Sequence, residues 1–223
     1  VWISMTGKGI YWWNPYTGTS KIYSHAGTNP NSPGNDFINS IIEDKHHSIW
    51  ICTYGGGISL YQPATDNFKT FRADINNNNS LSTDQVLTFC EDRSGVLWIG
   101  TNGGGLNNLN LIKKDFGIYQ GWDKEYRSHE PLSLYKDHSG KIYMATFGRG
   151  IQEFDPVTGN FKSHNLVLLN DKLAAINFCY GAFEASDGNF YTVSFNSGFY
   201  VIDRRAGKFR ANIPEGYHQD TGY

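Results

Sequence analysis

Two landmarks recur along this chain at one spacing. An aromatic residue stands at Trp2, Trp50, Trp98, Tyr143 and Tyr191, and a turn glycine at Gly9, Gly57, Gly105, Gly150 and Gly198. Both series advance by 48, 48, 45 and 48 residues. A period of this length marks a supersecondary unit used repeatedly, because one such unit cannot bury its apolar faces alone and must stack on copies of itself.

Each full unit reads as four strands. Strand A is apolar and alternating, at 38–44, 86–92, 131–137 and 180–185. A tight turn follows, opened by Asp44, Asp92 or Asp137, with Gly95, Gly140 or Gly188 supplying the permissive backbone. Strand B carries the aromatic anchor. A glycine-rich turn leads to strand C, which starts at Ile10, Ile58, Leu106, Ile151 and Phe199, and a short strand D follows at 68–71, 116–119, 161–164 and 209–212. Four antiparallel strands per unit of this length make the chain an all-β, β-propeller array of four-stranded antiparallel blades. The expected units are 1–36, lacking strand A, then 37–85, 86–130, 131–179 and 180–223, about 4.7 blades in all. The chain opens at a strand B and ends just before the next strand A, so it is read as an excerpt of a larger ring, starting after any targeting segment.

Composition agrees with this reading and excludes others. Aromatics are 15% of residues, charged residues only 18%, and there are 25 glycines, which suits short strands and tight turns. A net charge of −2 gives no basic field for nucleic acid, and no stretch is long enough to insert in a membrane. The cysteines are three, Cys52, Cys90 and Cys179, an odd number that argues against a disulfide framework. They are read as small core residues. Cys52 shares a register with Ser4, Gly100, Ala145 and Val193, a column of mostly small residues that lets neighbouring blades approach.

The segment EDRSGVLWIGTNGGGLNNLN (91–110), preceded by NNSLSTDQVLTF (78–89), resembles the two-component regulator propeller repeat. The resemblance covers nearly the whole chain and is sharpest in units two and three. Unit two departs at His47, where the turn glycine is expected. Units four and five depart in the B–C turn, with residues 147–150 and 195–198. What the resemblance implies is the periplasmic sensor ectodomain of an inner-membrane hybrid two-component protein of Bacteroides type. Such a parent has two seven-bladed propellers, a β-sandwich, a membrane span, a histidine kinase and a DNA-binding regulator, and acts as a homodimer. The family senses mostly oligosaccharides and regulates glycan utilisation, so the implied partners are an oligosaccharide and the neighbouring propeller and sandwich domains.

In a propeller the D–A loops and B–C turns share one face. Residues that vary there while their neighbours repeat are the candidate ligand contacts. Tyr54, Asn102 and Phe147 occupy one varying turn position, and Lys8 and Arg149 stand where sister units keep glycine. Asn196 lies in the fifth B–C turn, and Trp122 stands in a polar D–A loop. Aromatics there can stack on a sugar ring, and Arg149 can donate in a fork to a carboxylate, a sulfate or hydroxyls. The D–A segments 24–36, 72–85, 120–130 and 165–179 are read as long polar loops, with the Asn run at 76–79 as turn-forming. The repeating anchors Trp2, Trp50 and Trp98 are read as packing.

No catalytic constellation is legible. The seven histidines are scattered, zinc spacing is absent, and Asp44, Asp92 and Asp137 recur with the turn. Glu43, Glu91 and Glu184 also share a register. The segment is therefore expected to be a non-catalytic sensor with no cofactor and no metal. The alternatives are a protein-interaction propeller and a carbohydrate-active propeller enzyme.

Overall fold

The computed structural model describes residues 1–110, 115–119, 130–164, 166–169, 172–175, 178–186, 189–194, 198–203 and 208–211. Regular structure among them is β throughout, and no helix is long and apolar enough to cross a membrane. Blade one comprises β1 (Trp2–Met5), β2 (Gly9–Trp13) and β3 (Ser20–Tyr23), in that spatial order. Blade two is β4 (Ile38–Glu43), β5 (Ile49–Thr53), β6 (Ile58–Gln62) and β7 (Asn67–Phe71). Blade three is β8 (Val86–Glu91), β9 (Leu97–Thr101), β10 (Gly105–Asn110) and β11 (Asp115–Tyr119). Blade four is β12 (Glu130–Lys136), β13 (Ile142–Phe147), β14 (Gly150–Phe154) and β15 (Phe161–His164). Every neighbouring pair within these blades is antiparallel, so each is a meander running A to D.

The fifth sheet differs from the sequence reading. Its core is β18 (Cys179–Glu184), β19 (Phe190–Ser194), β20 (Gly198–Asp203) and β21 (Lys208–Ala211). The segment 165–179, expected to be a polar loop, forms a hairpin of β16 (Leu166–Leu169) and β17 (Lys172–Ala175). Strand β16 pairs parallel with β21, giving a six-stranded sheet. The two short apolar runs at 166–169 and 173–175 carry strand character within a segment that is a loop in the sister units.

The blades are cemented by four apolar clusters, one for each junction. Ile10, Tyr23, Ile51 and Phe68 join blades one and two. Trp50, Cys52, Ile58, Val86 and Phe89 join two and three. Trp98, Leu106, Ile142 and Phe154 join three and four. Tyr143, Ala145, Cys179 and Phe190 join four and five. The anchor rings Trp2, Trp50, Trp98 and Tyr143 thus lie between sheets, as their periodicity required, whereas Tyr191 stacks on Phe183 and Phe199 of its own sheet. The small-residue column works as expected at Gly100, where a Cβ would press on Pro131 of the next blade.

Candidate functional site

Most of the repeating polar side chains serve the frame. Thr53, Thr101 and Thr146 each donate a hydroxyl to the carbonyl of Gly57, Gly105 or Gly150, closing the B–C turn at 2.8–2.9 Å. Asp44 accepts the Ser48 N–H and the Trp50 indole, each at 2.9 Å, and Asp92 accepts the Val96 N–H at 3.0 Å and the Trp98 indole at 2.8 Å. Burial pushes these carboxyls up, but the indole and turn donors outweigh it, so both lie below the usual range. Trp50 and Trp98 are buried with their indoles tied, which assigns them to packing rather than to a sugar.

The recurring glutamates staple one blade to the next. Glu91 accepts the Lys45 N–H at 2.8 Å and meets its ammonium at 3.1 Å. Glu184 accepts the His138 N–H at 3.1 Å and contacts its ring at 2.6 Å. Glu43 instead pairs with His47 of its own turn. These carboxylates are engaged at the end of the blades formed by A–B turns. Among the described residues, no group of three or more His, Cys, Asp and Glu is placed to hold a metal.

The opposite end carries the D–A loops and B–C turns. The loops are ordered by a repeated hydrogen-bond set. Asp36 takes the His25 N–H at 2.6 Å and Asp84 takes the Ala73 N–H at 2.7 Å, while Ser32 and Ser80 take the N–H of Ala26 and Asp74. The Asn run forms turns as expected, with Asn77 accepting the Asn79 N–H. These loops also explain the glycine column. A Cβ on Gly56 would overlap the Gly34 backbone, and one on Gly104 would overlap Ser82 and Thr101. Blades two and three need glycine there because a loop lies against it.

Among the described residues, the first, second and fourth B–C turns are tied to the lead-in of the next strand A. Gly9 N–H donates to the Asp36 carbonyl at 3.2 Å, and Gly57 N–H donates to that of Asp84 at 2.8 Å. Isolated bridges join Tyr54 to Gln85 and Phe147 to Phe178. On this face Tyr54, Phe147 and Lys8 are exposed, while Asn102 and Arg149 are half-buried. Phe147 and Arg149 share one turn, and Tyr54 belongs to a turn separated from it by blade three. Asn196 and Trp122 lie outside the described residues.

One residue of this face was missed by sequence reasoning. Phe178 meets Phe147 edge to face, ring centroids 4.8 Å apart. Its signal is the column preceding strand A, which runs Phe37, Gln85, Glu130 and Phe178. On the other end, Trp98, Tyr119, Arg93, Lys141, Asp155 and Thr158 help line a cleft of about 730 Å³ between blades three and four.

The family model described as two component regulator propeller matches residues 32–55 and 80–103. Each match runs from a D–A loop through strands A and B to the glycine turn. Curated proteins contain no match. Among solved structures the chain is similar to the extracellular domain of BT3049, described as a hybrid two-component system of B. thetaiotaomicron, with a TM-score of 0.75 and 22% identity over 98% of this chain and 27% of that one. The extracellular domain of BT4673 from the same organism gives 0.70 and 21% over 92% and 28%. PorZ, a surface component of the type-IX secretion system of Porphyromonas gingivalis, gives 0.68 and 14% over 95% and 32%. The chain spans about a quarter to a third of these structures, and what it shares with them at this identity is the fold.

Proposed function

We propose that this chain, which carries two-component regulator propeller repeats, is part of a non-catalytic sensor propeller that binds an oligosaccharide on the face of its B–C turns. One observation carries the reading. The repeating Thr, Asp, Trp and Glu side chains are largely consumed within and between blades, whereas Tyr54, Phe147 and Lys8, which break the repeat on the B–C turns, face solvent. Aromatic rings beside a cation and an amide suit a ligand with an apolar C–H face and hydroxyl rims.

The parent is a hybrid two-component protein of the inner membrane, with this segment in the periplasm and further propeller, sandwich and kinase domains in the same chain, working as a homodimer. This assignment draws on the repeat family and on the likeness to extracellular domains described as hybrid two-component systems. Binding acts by favouring one arrangement of domains or protomers, which requires different affinities for the two. The engagement of Glu91 and Glu184 in inter-blade contacts weighs against a glycosidase. Isothermal titration of the whole ectodomain against defined glycan fragments is the test. Saturable heat with one fragment class is expected. Absence of heat across the panel, with a co-purifying protein partner, overturns the reading in favour of a protein-interaction propeller.

A further inference from the structure

Two devices close the blade junctions at the end formed by A–B and C–D turns, and the junction of blades three and four lacks both. The first is a latch between blades one and two. Asp66, in the C–D turn of blade two, accepts the Tyr23 hydroxyl of blade one at 2.5 Å and the Tyr61 hydroxyl at 2.8 Å, and pairs with the Lys21 ammonium. The Lys21, Tyr23 and Tyr61 donors hold its carboxyl at about 2. Asp66 keeps this place at a φ of 52°, where the sister turns have Gly18 and Gly159. The second device is the staple. Lys45 meets Glu91 between blades two and three, and His138 meets Glu184 between four and five.

Between blades three and four, Gly117 stands at the register of Lys21, Gly159 at that of Asp66 and Phe154 at that of Tyr61, while Tyr23 has its counterpart in Tyr119. Gly117 is fixed there by Asn108, whose Oδ1 takes its N–H at 2.8 Å and occupies the space of a Cβ. The staple is altered as well. Arg93 stands for Lys45, but Lys136 replaces the glutamate of the neighbouring junctions. Arg93 donates instead to the His138 carbonyl of blade four, and Lys136 is near enough to act on the Cys90 thiol of blade three. Among the described residues no carboxylate pairs with either cation.

This junction holds the cleft of about 730 Å³. Its wall is apolar at Val96, Trp98, Tyr119 and Val157, with Arg93 beside it. The Trp98 and Tyr119 ring centroids are 5.4 Å apart. Asp92 and Asp155 also line the cleft, but both are engaged by turn donors: Asp92 by Ser94, Val96 and Trp98, Asp155 by the Val157 and Thr158 N–H. Lys141 is matched by Glu153. The cation left over is Arg93, and a guanidinium presents paired donors suited to a carboxylate.

We propose that this cleft binds a small organic carboxylate with an apolar body, the acid group taken by Arg93 and the body by the wall of Trp98 and Tyr119. The bound acid supplies the negative charge that Glu91 and Glu184 supply at the adjoining junctions. The site lies at the opposite end of the blades from the B–C turns and is independent of the sugar-binding reading.

Saturation-transfer NMR on the 223-residue chain, with hydrocinnamate and the uncharged hydrocinnamyl alcohol as probes, tests this. Hydrocinnamate is expected to receive saturation and to bind about tenfold more tightly than the alcohol. Arg93→Gln is expected to weaken it about tenfold, the loss of one charge-assisted contact. Gly159→Asp, which gives blade four the latch carboxylate of blade two, is expected to weaken it at least as much. Lys162→Gln, which removes an exposed cation of β15 outside the cleft, leaves it unchanged. Thermal melting shows which variants remain folded, and the comparison of acid with alcohol needs no variant. No saturation of hydrocinnamate, equal binding of acid and alcohol, undiminished binding in either folded cleft variant, or an equal loss in Lys162→Gln overturns the proposal.

Discussion

Glu153 is a buried carboxylate held by two partners inside blade four. It is buried on β14, accepts from His164 Nε2 at 2.8 Å and pairs with the Lys141 ammonium. The His164 hydrogen bond, with Lys141 assisting against the cost of burial, holds its carboxyl at about 2. A folded pKa below the unfolded value stabilises the fold above the unfolded pKa, and that stabilisation is lost as pH falls through the folded one. The window runs from the reference value of 4.5 down to about 2. The shift is worth roughly 3 kcal/mol at neutral pH. Urea melts from pH 7 to pH 2 are expected to show stability dropping across that window. In Glu153→Gln this part of the decline is expected to disappear, together with stability of the same order at pH 7, because removing the carboxylate charge leaves the Lys141 ammonium without its partner and weakens the His164 hydrogen bond.

At the level of the elements, the A–B turn shows how a departure from the repeat is tolerated. Gly95 and Gly140 take φ of 89° and 95°, and His47 at the corresponding place takes 62°. A residue with a Cβ pays about 1 kcal/mol or more for that left-handed conformation, part of which a glycine returns through its own greater unfolded freedom. His47→Gly is therefore expected to raise stability by about 0.5–1 kcal/mol, read as a higher melting midpoint. The exposed His47–Glu43 contact that it removes is worth little. The turn is otherwise held as in blade three, with Asp44 accepting from His46 and Ser48. Backbone strain, not loss of hydrogen bonds, is what separates the two blades here.

Across the whole molecule, stability resides at the junctions. Each of three successive clusters contains or abuts one cysteine: Cys52 between blades two and three, Cys90 between three and four, Cys179 between four and five. Burial pushes the thiols up, to about 12 for Cys52 and Cys90 and about 11 for Cys179. Thiolates are the reactive form, so at pH 8 modification needs the junction to open. Timed alkylation with mass spectrometry is expected to modify half-buried Cys90 first. Cys52 and Cys179 should follow only at the rate of unfolding. Rapid native labelling of either would show that its junction is not closed, contrary to a stack in which each sheet is buried by its neighbours.

The period alone determined the architecture. A column of rings every 48 or 45 residues has no stable home except between copies of one sheet, so the strands, the packing of the anchor tryptophans and the turn-opening role of Asp44 and Asp92 were legible in it, while their hold on the Trp50 and Trp98 indoles was not. What breaks the period was harder to read. The hairpin at 166–175 replaces what is a loop elsewhere, and Gly56 and Gly104 are explained only by loops folded back against them. Phe178 stands 31 residues from Phe147, and nothing in the spacing says that the two rings meet. Their meeting depends on a bridge that ties one blade's turn to the lead-in of the next blade's first strand. That bridge is settled by how neighbouring sheets twist and pack, which is tertiary information.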